Sequence, residues 1–303
     1  MTPILIVGCG DVGRRVAARH LQLGQFVAAL ARSPQSAAAL QARGVHVVRG
    51  DLDEPQTLSM LPTQDALIYY FAPPPTSGVR DPRLGNFVSA ISVLARPARI
   101  VLISTSGVYG DCQGAWVTED RVPHPDSERA QRRLHAEQQL QAWGAAHQVP
   151  VVILRVAGIY GAGRLPEKRL RAGEPVLQES QSPWSNRVHI DDLVQACVAA
   201  GTRGQPAAIY NISDGHPSTM TDYFNRVADA LHLQRPPQIS LAQAHTELSS
   251  GMQSYLSESK RLDNRRMREE LGMIPRYPDL ASGLAACVSE DAHRQKSNSH
   301  PEN

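Results

Sequence analysis

The chain has 303 residues, of which 42% are hydrophobic and 20% charged, and its 31 Lys and Arg residues nearly balance its 29 Asp and Glu residues. This length is sufficient for one large domain or two moderate ones with a substantial apolar core. A formal charge of +2 gives no long-range attraction to nucleic acid or to an acidic membrane. Neither nucleic acid nor a membrane is therefore predicted as a partner.

No apolar segment approaches the ~20 residues that span a bilayer, and the apolar opening Ile4–Val7 is too short for the core of a signal peptide. The composition therefore predicts a cytoplasmic protein. The four cysteines, Cys9, Cys112, Cys197 and Cys287, form no CxxC pair. Neither a disulfide framework nor a metal site is expected from them.

Short β-branched runs alternate along the chain with longer segments of helical period, which predicts βαβ units and a parallel sheet covered on both faces. The predicted strands are Pro3–Val7, Phe26–Ala31, Val45–Arg49, Ala66–Phe71, Arg99–Ser104, Pro150–Val156 and Ala208–Ile212. The predicted helices are Asp11–Leu23, Ser33–Ala42, Gly85–Ala95, Ser127–His147, Asp191–Ala200 and Thr219–Leu233. The fold class is α/β, a Rossmann-type doubly wound parallel sheet with a smaller C-terminal α/β cap on the substrate side.

The domain boundaries follow from this alternation. Residues 1–163 are predicted to form the dinucleotide-binding domain, to which 186–215 return, and residues 164–185 and 216–292 to form the cap. The last residues, 293–303, are polar and without period, and are predicted to be disordered.

A glycine-rich loop follows the first strand and opens the first helix. The segment Gly8-Cys9-Gly10-Asp11-Val12-Gly13 matches GxGxxG in the context that gives this motif its meaning. Gly8 allows the tight turn, Gly10 lets the backbone approach a pyrophosphate, and Gly13 lets the helix pack on the strand. The N-terminus of the helix then offers N–H groups to the anion. A tight turn without a ligand is the alternative.

The end of the second strand decides which dinucleotide is favoured. NAD binders place an acidic residue there for the ribose hydroxyls, whereas this chain has Arg32 followed by Ser33. A guanidinium pairs with a 2′-phosphate that a carboxylate would repel. The sequence therefore favours NADP over NAD as the cofactor, the alternative being a solvated arginine at the end of a strand.

Several further segments resemble the extended branch of the short-chain dehydrogenase/reductase family, which includes nucleotide-sugar epimerases and dehydratases. These segments are Asp51-Leu52, Ala72, Ser104–Gly110, Leu154–Gly161 and Val188–Leu193. The resemblance implies that Asp51 and Leu52 contact the adenine. It also implies that Ala72 and Ala157 lie on the cofactor side and that Thr105 is the catalytic Ser/Thr of the family.

One essential part of the family pattern is missing. The family places a catalytic Tyr-x-x-x-Lys pair on the helix after the fifth strand, with a Glu four residues beyond the Lys. Glu137 as that Glu puts Arg133 at the Lys position and Arg129 at the Tyr position. Arginine keeps its proton at all physiological pH values, so Arg129 cannot be a general acid. Arg133 can still hydrogen-bond the nicotinamide ribose in place of the lysine. Alternatively, both arginines are solvated.

This departure, together with the segments Gly8–Gly13, Ala157–Arg164, Asn186–His189 and Ser259–Arg261, resembles the atypical YeeZ-like subgroup, whose members are commonly labelled NAD(P)-dependent epimerases. The label follows the fold and is weak evidence about the reaction. Sugar-nucleotide epimerases also carry an Arg four residues before the His of this region, where this chain has Ser185.

If the protein is an enzyme, the proton donor must be another residue. Tyr109 is the candidate, since it follows Thr105 on the loop where an open α/β sheet places its ligand crevice. Three functions stay open: an NADP-dependent oxidoreductase or epimerase, a regulator that senses NADP without turnover, and a scaffold with an empty glycine loop. A small-molecule substrate is expected, and the basic residues Arg164, Lys168, Arg169 and Arg171 suggest an anionic one, the alternative being a solvated loop. A monomer and a homodimer are both compatible with the sequence.

Overall fold

The computed structural model describes residues 2–248, 253 and 256–298. Within this part of the chain, seven strands form one fully parallel sheet in the order β3-β2-β1-β4-β5-β7-β12. They are β1 Ile4–Val7, β2 Val27–Ala31, β3 His46–Arg49, β4 Leu67–Tyr70, β5 Arg99–Thr105, β7 Val151–Val156 and β12 Ile209–Ile212. The Rossmann-type fold class predicted from the sequence is confirmed.

Helices cover both faces of this sheet, as the uninterrupted apolar strands require. The longer helices are α1 Asp11–Gln22, α2 Pro34–Gln41, α3 Pro82–Ser89, α4 Glu128–His147, α6 Ile190–Arg203, α7 Met220–Ala230 and α10 Leu280–Asn298. Shorter helices are α5 Glu167–Arg171, α8 Leu241–Glu247 and α9 Arg265–Glu270. One core cluster lies between the sheet and helices α1 and α6, and a second lies between the sheet and helices α3 and α4.

Two-residue and three-residue strands outside the main sheet build the cap and connect it to the sheet edge. They are β6 Trp116–Val117, β8 Gly158–Tyr160, β9 Val176–Leu177, β10 Trp184–Ser185, β11 Arg187–His189, β13 Ser218–Thr219, β14 Gln238–Ile239 and β15 Arg261–Leu262. A separate apolar cluster, which includes Tyr160, Phe224 and Leu284, holds α7 and α10 together. The domain boundaries given above stay a prediction.

The predicted helix Gly85–Ala95 was placed wrongly. The helix begins a turn earlier, because the Asp81 carboxylate accepts a hydrogen bond from the Leu84 N–H at 3.2 Å and caps a helix that has Pro82 in its first turn. It ends at Ser89.

The predicted disordered tail also needs correction, since α10 continues through residues 293–298 to Asn298. Gln and Lys residues without an apolar period are still good helix formers that can extend an existing helix. The remainder of that prediction, 299–303, lies outside the described residues.

No helix in the described ranges is long and apolar enough to cross a membrane.

A buried ion pair joins α4 to the sheet. The Arg155 guanidinium on β7 donates from Nε and Nη2 to Glu137 Oε2 of α4, at 3.2 and 2.8 Å. The Ser104 hydroxyl on β5 donates to Glu137 Oε1. Both charged side chains are almost fully buried, at 3% and 1% exposure. Removing one partner would leave an unpaired charge inside the core.

We therefore expect Glu137→Leu to lower the free energy of unfolding by about 3–5 kcal/mol, measured by urea denaturation. The double variant Glu137→Leu/Arg155→Met should recover most of the loss, because it removes both charges. Glu167→Gln breaks the exposed pair with Arg171 and serves as control, with an expected change below about 1 kcal/mol. A loss of that small size for Glu137→Leu would contradict the role given to the buried pair.

Candidate functional site

The glycine loop between β1 and α1 has the geometry of a phosphate cradle. Gly8 has φ +92°, and a Cβ there would lie 2.3 Å from the Ala72 backbone nitrogen, so the two loops touch directly. A Cβ on Gly13 would lie 2.9 Å from the Gly8 carbonyl oxygen, which shows how closely α1 packs against the strand. A Cβ on Gly10 would meet nothing within 4 Å. The loop is thus closed on the protein side and open at Gly10.

The first turn of α1 faces this open side. Gly10 is the N-cap and supplies no side chain to the helix N–H groups, so a ligand can use them. Val12 is half-buried and packs against the core. Because the backbone is open at Gly10 and the helix end is uncapped, these residues fit a dinucleotide pyrophosphate.

The Asp11 carboxylate lies in the same turn and is held by two guanidinium groups. Arg164 Nη1 donates to Asp11 Oδ2 at 2.6 Å, and Arg15 Nε donates to Asp11 Oδ1 at 3.3 Å. Burial acts to raise the pKa of Asp11, but the hydrogen bonds from Arg164 and Arg15 outweigh it and hold the pKa below its usual value. A phosphate at this end of the helix would therefore lie beside the positive charge of Arg164 as well as the negative charge of Asp11.

The residues predicted to select the cofactor, Arg32 and Ser33, follow β2, and the predicted adenine contacts Asp51 and Leu52 follow β3. Arg32 is 70% exposed, and its Nε lies 3.9 Å from Asp51 Oδ2. The Ser33 hydroxyl accepts from the Ser36 N–H at 3.1 Å, so it caps α2. Leu52 is buried, with 8% exposure. The structure brings Arg32 and Asp51 together and uses Ser33 as the N-cap of α2, in keeping with the predicted start of that helix at Ser33-Pro34.

A cleft of about 600 Å³ opens at the carboxyl ends of β4, β5 and β7. It is lined from the sheet by the Pro73–Thr76 loop, by Thr105–Gly107 and by Val156–Ile159, so Ala157 belongs to the lining. The cap closes the other side. Among the residues that the structure describes, the charged ones in the lining are Arg129, Arg132, Arg133, Arg164, Arg187, Lys260 and Glu258. The cleft is thus strongly cationic although the whole chain is nearly neutral.

Thr105 lies at the centre of the sheet edge. It ends β5 beside Val156 of β7, and its Oγ1 accepts a hydrogen bond from the Gly107 N–H at 3.2 Å. This bond turns the chain into the 3-10 helix Ser106–Tyr109 and leaves the hydroxyl at the cleft. A carbonyl or hydroxyl oxygen in the cleft can therefore reach Thr105.

The geometry does not support Tyr109 as a proton donor. Its side chain is 1% exposed and is not part of the cleft lining. The hydroxyl donates to Asn211 Oδ1 at 2.8 Å, and the Arg155 guanidinium lies 4.7 Å from the ring centroid. Burial raises the pKa of Tyr109 to about 12. The sequence placed this residue correctly after β5, but the 3-10 turn directs its ring into the core.

The arginines of α4 do line the cleft. Arg133 Nη1 donates to the Ile103 carbonyl oxygen of β5 at 3.2 Å, which fixes the guanidinium beside the strand that carries Thr105. Burial lowers the pKa of Arg133 from its usual value, partly offset by the charge of Asp81. Arg129 lies at the same cleft. The helix thus presents guanidinium groups where the family pattern has Tyr and Lys.

The cap contributes an ion pair that the sequence did not place at the site. Lys260 Nζ donates to Glu258 Oε2 at 2.5 Å, both side chains are mostly buried, and both line the cleft. The segment is held there because the Cys112 and Gly114 N–H groups donate to the Ser259 carbonyl oxygen. The sequence signal was the segment Ser259–Arg261, which resembles the YeeZ-like subgroup, but nothing in it indicated which surface it would cover.

The basic residues around Arg164 divide between different places. Arg164 lines the cleft, whereas Arg171 pairs with Glu167 at 2.7 Å and Arg169 pairs with Glu174 at 3.0 Å outside it. Lys168 is outside the cleft lining as well. The four basic residues therefore do not line the cleft together. Apart from Arg164, the arginines that line it belong to α4 and β11.

The chain matches the family model described as the NAD dependent epimerase/dehydratase family over residues 4–213. It belongs to this family. The match covers the glycine loop, the strand carrying Thr105 and most of the sheet edge that forms the cleft.

Relatives cover the chain to different extents. Protein YeeZ of Escherichia coli K12 is 29% identical over 291 residues, 92% of this chain and 97% of YeeZ. A dTDP-glucose 4,6-dehydratase of Streptomyces griseus is 27% identical over 210 residues, 63% of this chain but only 58% of that protein. The chain thus spans little more than half the length of the dehydratase.

Among solved structures, a functionally unknown conserved protein from Silicibacter pomeroyi superimposes with a TM-score of 0.82 at 29% identity and covers 96% of this chain and 99% of its own. The similarity therefore extends through the cap, although neither this structure nor the name of YeeZ specifies a reaction.

A buried carboxyl group two residues after β12 gives a test of how well this part of the protein excludes water. Asp214 is 6% exposed, and its Oδ1 accepts from the His216 N–H at 2.9 Å. Burial raises the pKa of Asp214 from 3.8 to about 7. The folded protein therefore holds a proton here that the unfolded chain releases at lower pH.

We expect the free energy of unfolding of the wild type to fall as the pH rises from 3.8 towards 7, by about 1.4 kcal/mol for each unit by which the pKa is raised. Asp214→Asn stays neutral and should not show this decline in urea denaturation between about pH 5 and about pH 8. The exposed Asp229→Asn is the control and should keep the decline. Equal pH slopes for wild type and Asp214→Asn would contradict the burial effect.

Proposed function

We propose that this protein binds NADP and acts as an oxidoreductase or epimerase on a small carbonyl or hydroxyl compound that carries a negative charge. The observation that carries this proposal is the shared sheet edge. The open backbone at Gly10 and the Thr105 hydroxyl lie at the carboxyl ends of strands in one parallel sheet, where open α/β sheets bind their ligands.

The cofactor would be held by the glycine loop, by the α1 N-terminus and by Asp51 and Ala72 on the neighbouring loops. When bound, its nicotinamide supplies or accepts the hydride. Arg133, at the position that the family gives to lysine, would hydrogen-bond the nicotinamide ribose. Ala157, which lies in the cleft lining, would pack at the nicotinamide end.

The preference for NADP over NAD rests on Arg32. The guanidinium is mostly exposed at the end of β2 and can turn to a 2′-phosphate. Asp51 lies 3.9 Å from its Nε and would hold the guanidinium over the adenosine side. No carboxylate occupies the residue after β2 itself, where an NAD binder has one.

The chemistry assigned to the side chains is limited to proton handling and orientation. The Thr105 hydroxyl donates a hydrogen bond to the substrate oxygen. Of the titratable groups in the described cleft lining, Lys260 is the cation other than arginine. We assign the proton transfer to Lys260, with Glu258 receiving the charge-assisted hydrogen bond that orients it.

A second candidate function is an NADP-binding regulator without turnover. Arg129 and Arg133 at the Tyr and Lys positions favour it, as does the burial of Tyr109. Under either function we propose a cytoplasmic monomer or homodimer that binds neither nucleic acid nor membrane, since the charge of the chain is close to zero.

Arg32→Asp should weaken NADPH binding at least tenfold, about 1.4 kcal/mol, and change NADH binding much less, because a carboxylate repels the 2′-phosphate. Fluorescence titration of both nucleotides measures the ratio. Arg19→Asp changes the same charge at the far end of α1 and is the control. Equal losses for NADPH and NADH would rule out the 2′-phosphate contact.

Variants of Lys260 and Tyr109 test which of the two side chains transfers the proton. With a carbonyl compound found by screening NADPH oxidation, Lys260→Met should lower kcat at least 100-fold, in the range of general acid catalysis, while the Kd of NADPH stays within twofold. Tyr109→Phe should lower stability by about 1–3 kcal/mol, since Asn211 loses a donor in the core. Loss of turnover in folded Tyr109→Phe, with turnover retained in Lys260→Met, would reverse the assignment. An empty screen with tight NADPH binding would favour the regulator.

A further inference from the structure

Arg187 is a cleft residue whose position depends on a glycine. Arg187 on β11 pairs with Gly158 on β8, and a Cβ at Gly158 would lie 2.9 Å from Arg187 Nη1 and 3.1 Å from the Asn186 carbonyl oxygen. The guanidinium therefore occupies space that any larger residue at 158 would fill. Gly158 follows Val156 by two residues, and Val156 pairs with Thr105. Arg187 and the Thr105 hydroxyl therefore lie at the same edge of the sheet.

The guanidinium is held by groups that do not neutralise it. Its plane lies over the Tyr223 ring, 4.1 Å from the centroid. Nη1 donates to the Asn186 carbonyl oxygen at 2.8 Å, and Nη2 lies 3.3 Å from Met220 Sδ. A cation–π contact and one carbonyl fix the orientation of the group and leave other N–H donors for a ligand.

The charge of Arg187 has no close carboxylate. Among the residues that the structure describes, no Asp or Glu oxygen lies within 4.0 Å of this guanidinium. Asp214 is the nearby acid, and burial raises its pKa to about 7. Burial also lowers the pKa of Arg187 from its usual value. A partly buried cation that no carboxylate contacts is costly unless a ligand supplies the negative charge.

The surroundings favour one kind of anion. Ile159, Met220 and Trp184 line the cleft beside Arg187 and offer apolar contact. Ser185, two residues before Arg187, is uncharged and donates to the Ser218 carbonyl oxygen at 3.2 Å. A single planar carboxylate matches the fork geometry of one guanidinium.

We propose that Arg187 binds the carboxylate of a small organic acid, whose carbonyl or hydroxyl group lies at Thr105. Arg187 is then the residue that selects the substrate class. This inference rests on the proposed function, because it assigns the substrate of the same cleft. The group binds and orients the substrate and takes no part in bond making.

The test measures anion binding directly by isothermal titration calorimetry with the full-length protein. The probes are acetate, benzoate and malonate, with inorganic phosphate and UDP-glucose for comparison, each with and without saturating NADPH. We expect at least one carboxylate to bind in competition with the others. Arg187→Met should weaken its binding at least tenfold, and Arg187→Lys less, because the charge remains but the fork geometry is lost.

The control variant is Arg171→Met, which removes an arginine of the cap that does not line the cleft and should leave the Kd unchanged. Gly158→Ala is the second disrupting variant, because its methyl group displaces the guanidinium without removing the charge. Thermal unfolding checks that each variant is folded. The Kd of NADPH should stay within twofold in Arg187→Met.

The outcomes separate this inference from the proposed function. No carboxylate binding up to crystal-soak concentrations, or equal binding by folded Gly158→Ala and wild type, overturns the inference. Phosphate or UDP-glucose binding that alone depends on Arg187 also overturns it in favour of a phosphorylated ligand. Carboxylate binding that depends on Arg187 while NADPH does not bind leaves the anion site standing and overturns the proposed function.

Discussion

The buried pair of Glu137 and Arg155 is the constraint on which the site depends. It fixes α4 against β5 and β7 at the level where these strands end, and so it determines how far the α4 arginines reach over the cleft. Arg155 also covers the Tyr109 ring, whose hydroxyl reaches Asn211 on β12. Helix α4, the strands β5, β7 and β12 and the 3-10 turn that carries Tyr109 are thus joined by one polar network inside the core, where each unpaired member would be costly.

This network extends to the cap. Glu119 accepts from the Asn211 N–H at 2.8 Å, and Asn211 Nδ2 donates to the carbonyl oxygens of Val117 and Asp263. Val117 ends β6 and Asp263 directly follows β15, and these two strands pair with one another. Lys260 immediately precedes β15, so its place at the cleft follows from bonds made in the core rather than from contacts of its own ammonium group.

Local patterns in the sequence were enough for the sheet and the glycine loop. Each strand is an apolar run followed by turn residues, and Gly8, Gly10 and Gly13 have roles set by backbone geometry within one turn. The helix that begins after Asp81 starts earlier than the predicted Gly85, at a capping residue and a proline that are both local sequence signals. Such features depend on neighbours in sequence and are readable in principle.

The substrate side of the cleft was not readable in this way. Lys260 reaches it through contacts with residues about 150 positions earlier, such as the bond between the Ser259 N–H and Asp111. Arg187 lies over Gly158 because the two short strands β8 and β11 pair. Tyr109 points into the core because its ring packs against the Arg155 guanidinium and its hydroxyl donates to Asn211. A sequence pattern can indicate which residues carry charge, but only the fold determines which of them face the same space.

The contact between Arg164 and Asp11 has a consequence for exchange at the cleft. It joins the loop after β8 to the first turn of α1 across 153 residues of chain. If a pyrophosphate takes Arg164, it displaces an internal carboxylate, so that binding substitutes one anion for another and adds little net electrostatic energy. Under the proposed function, the Asp11 carboxylate would neutralise Arg164 again once the nucleotide has left, so neither state would leave that guanidinium without a negative charge beside it.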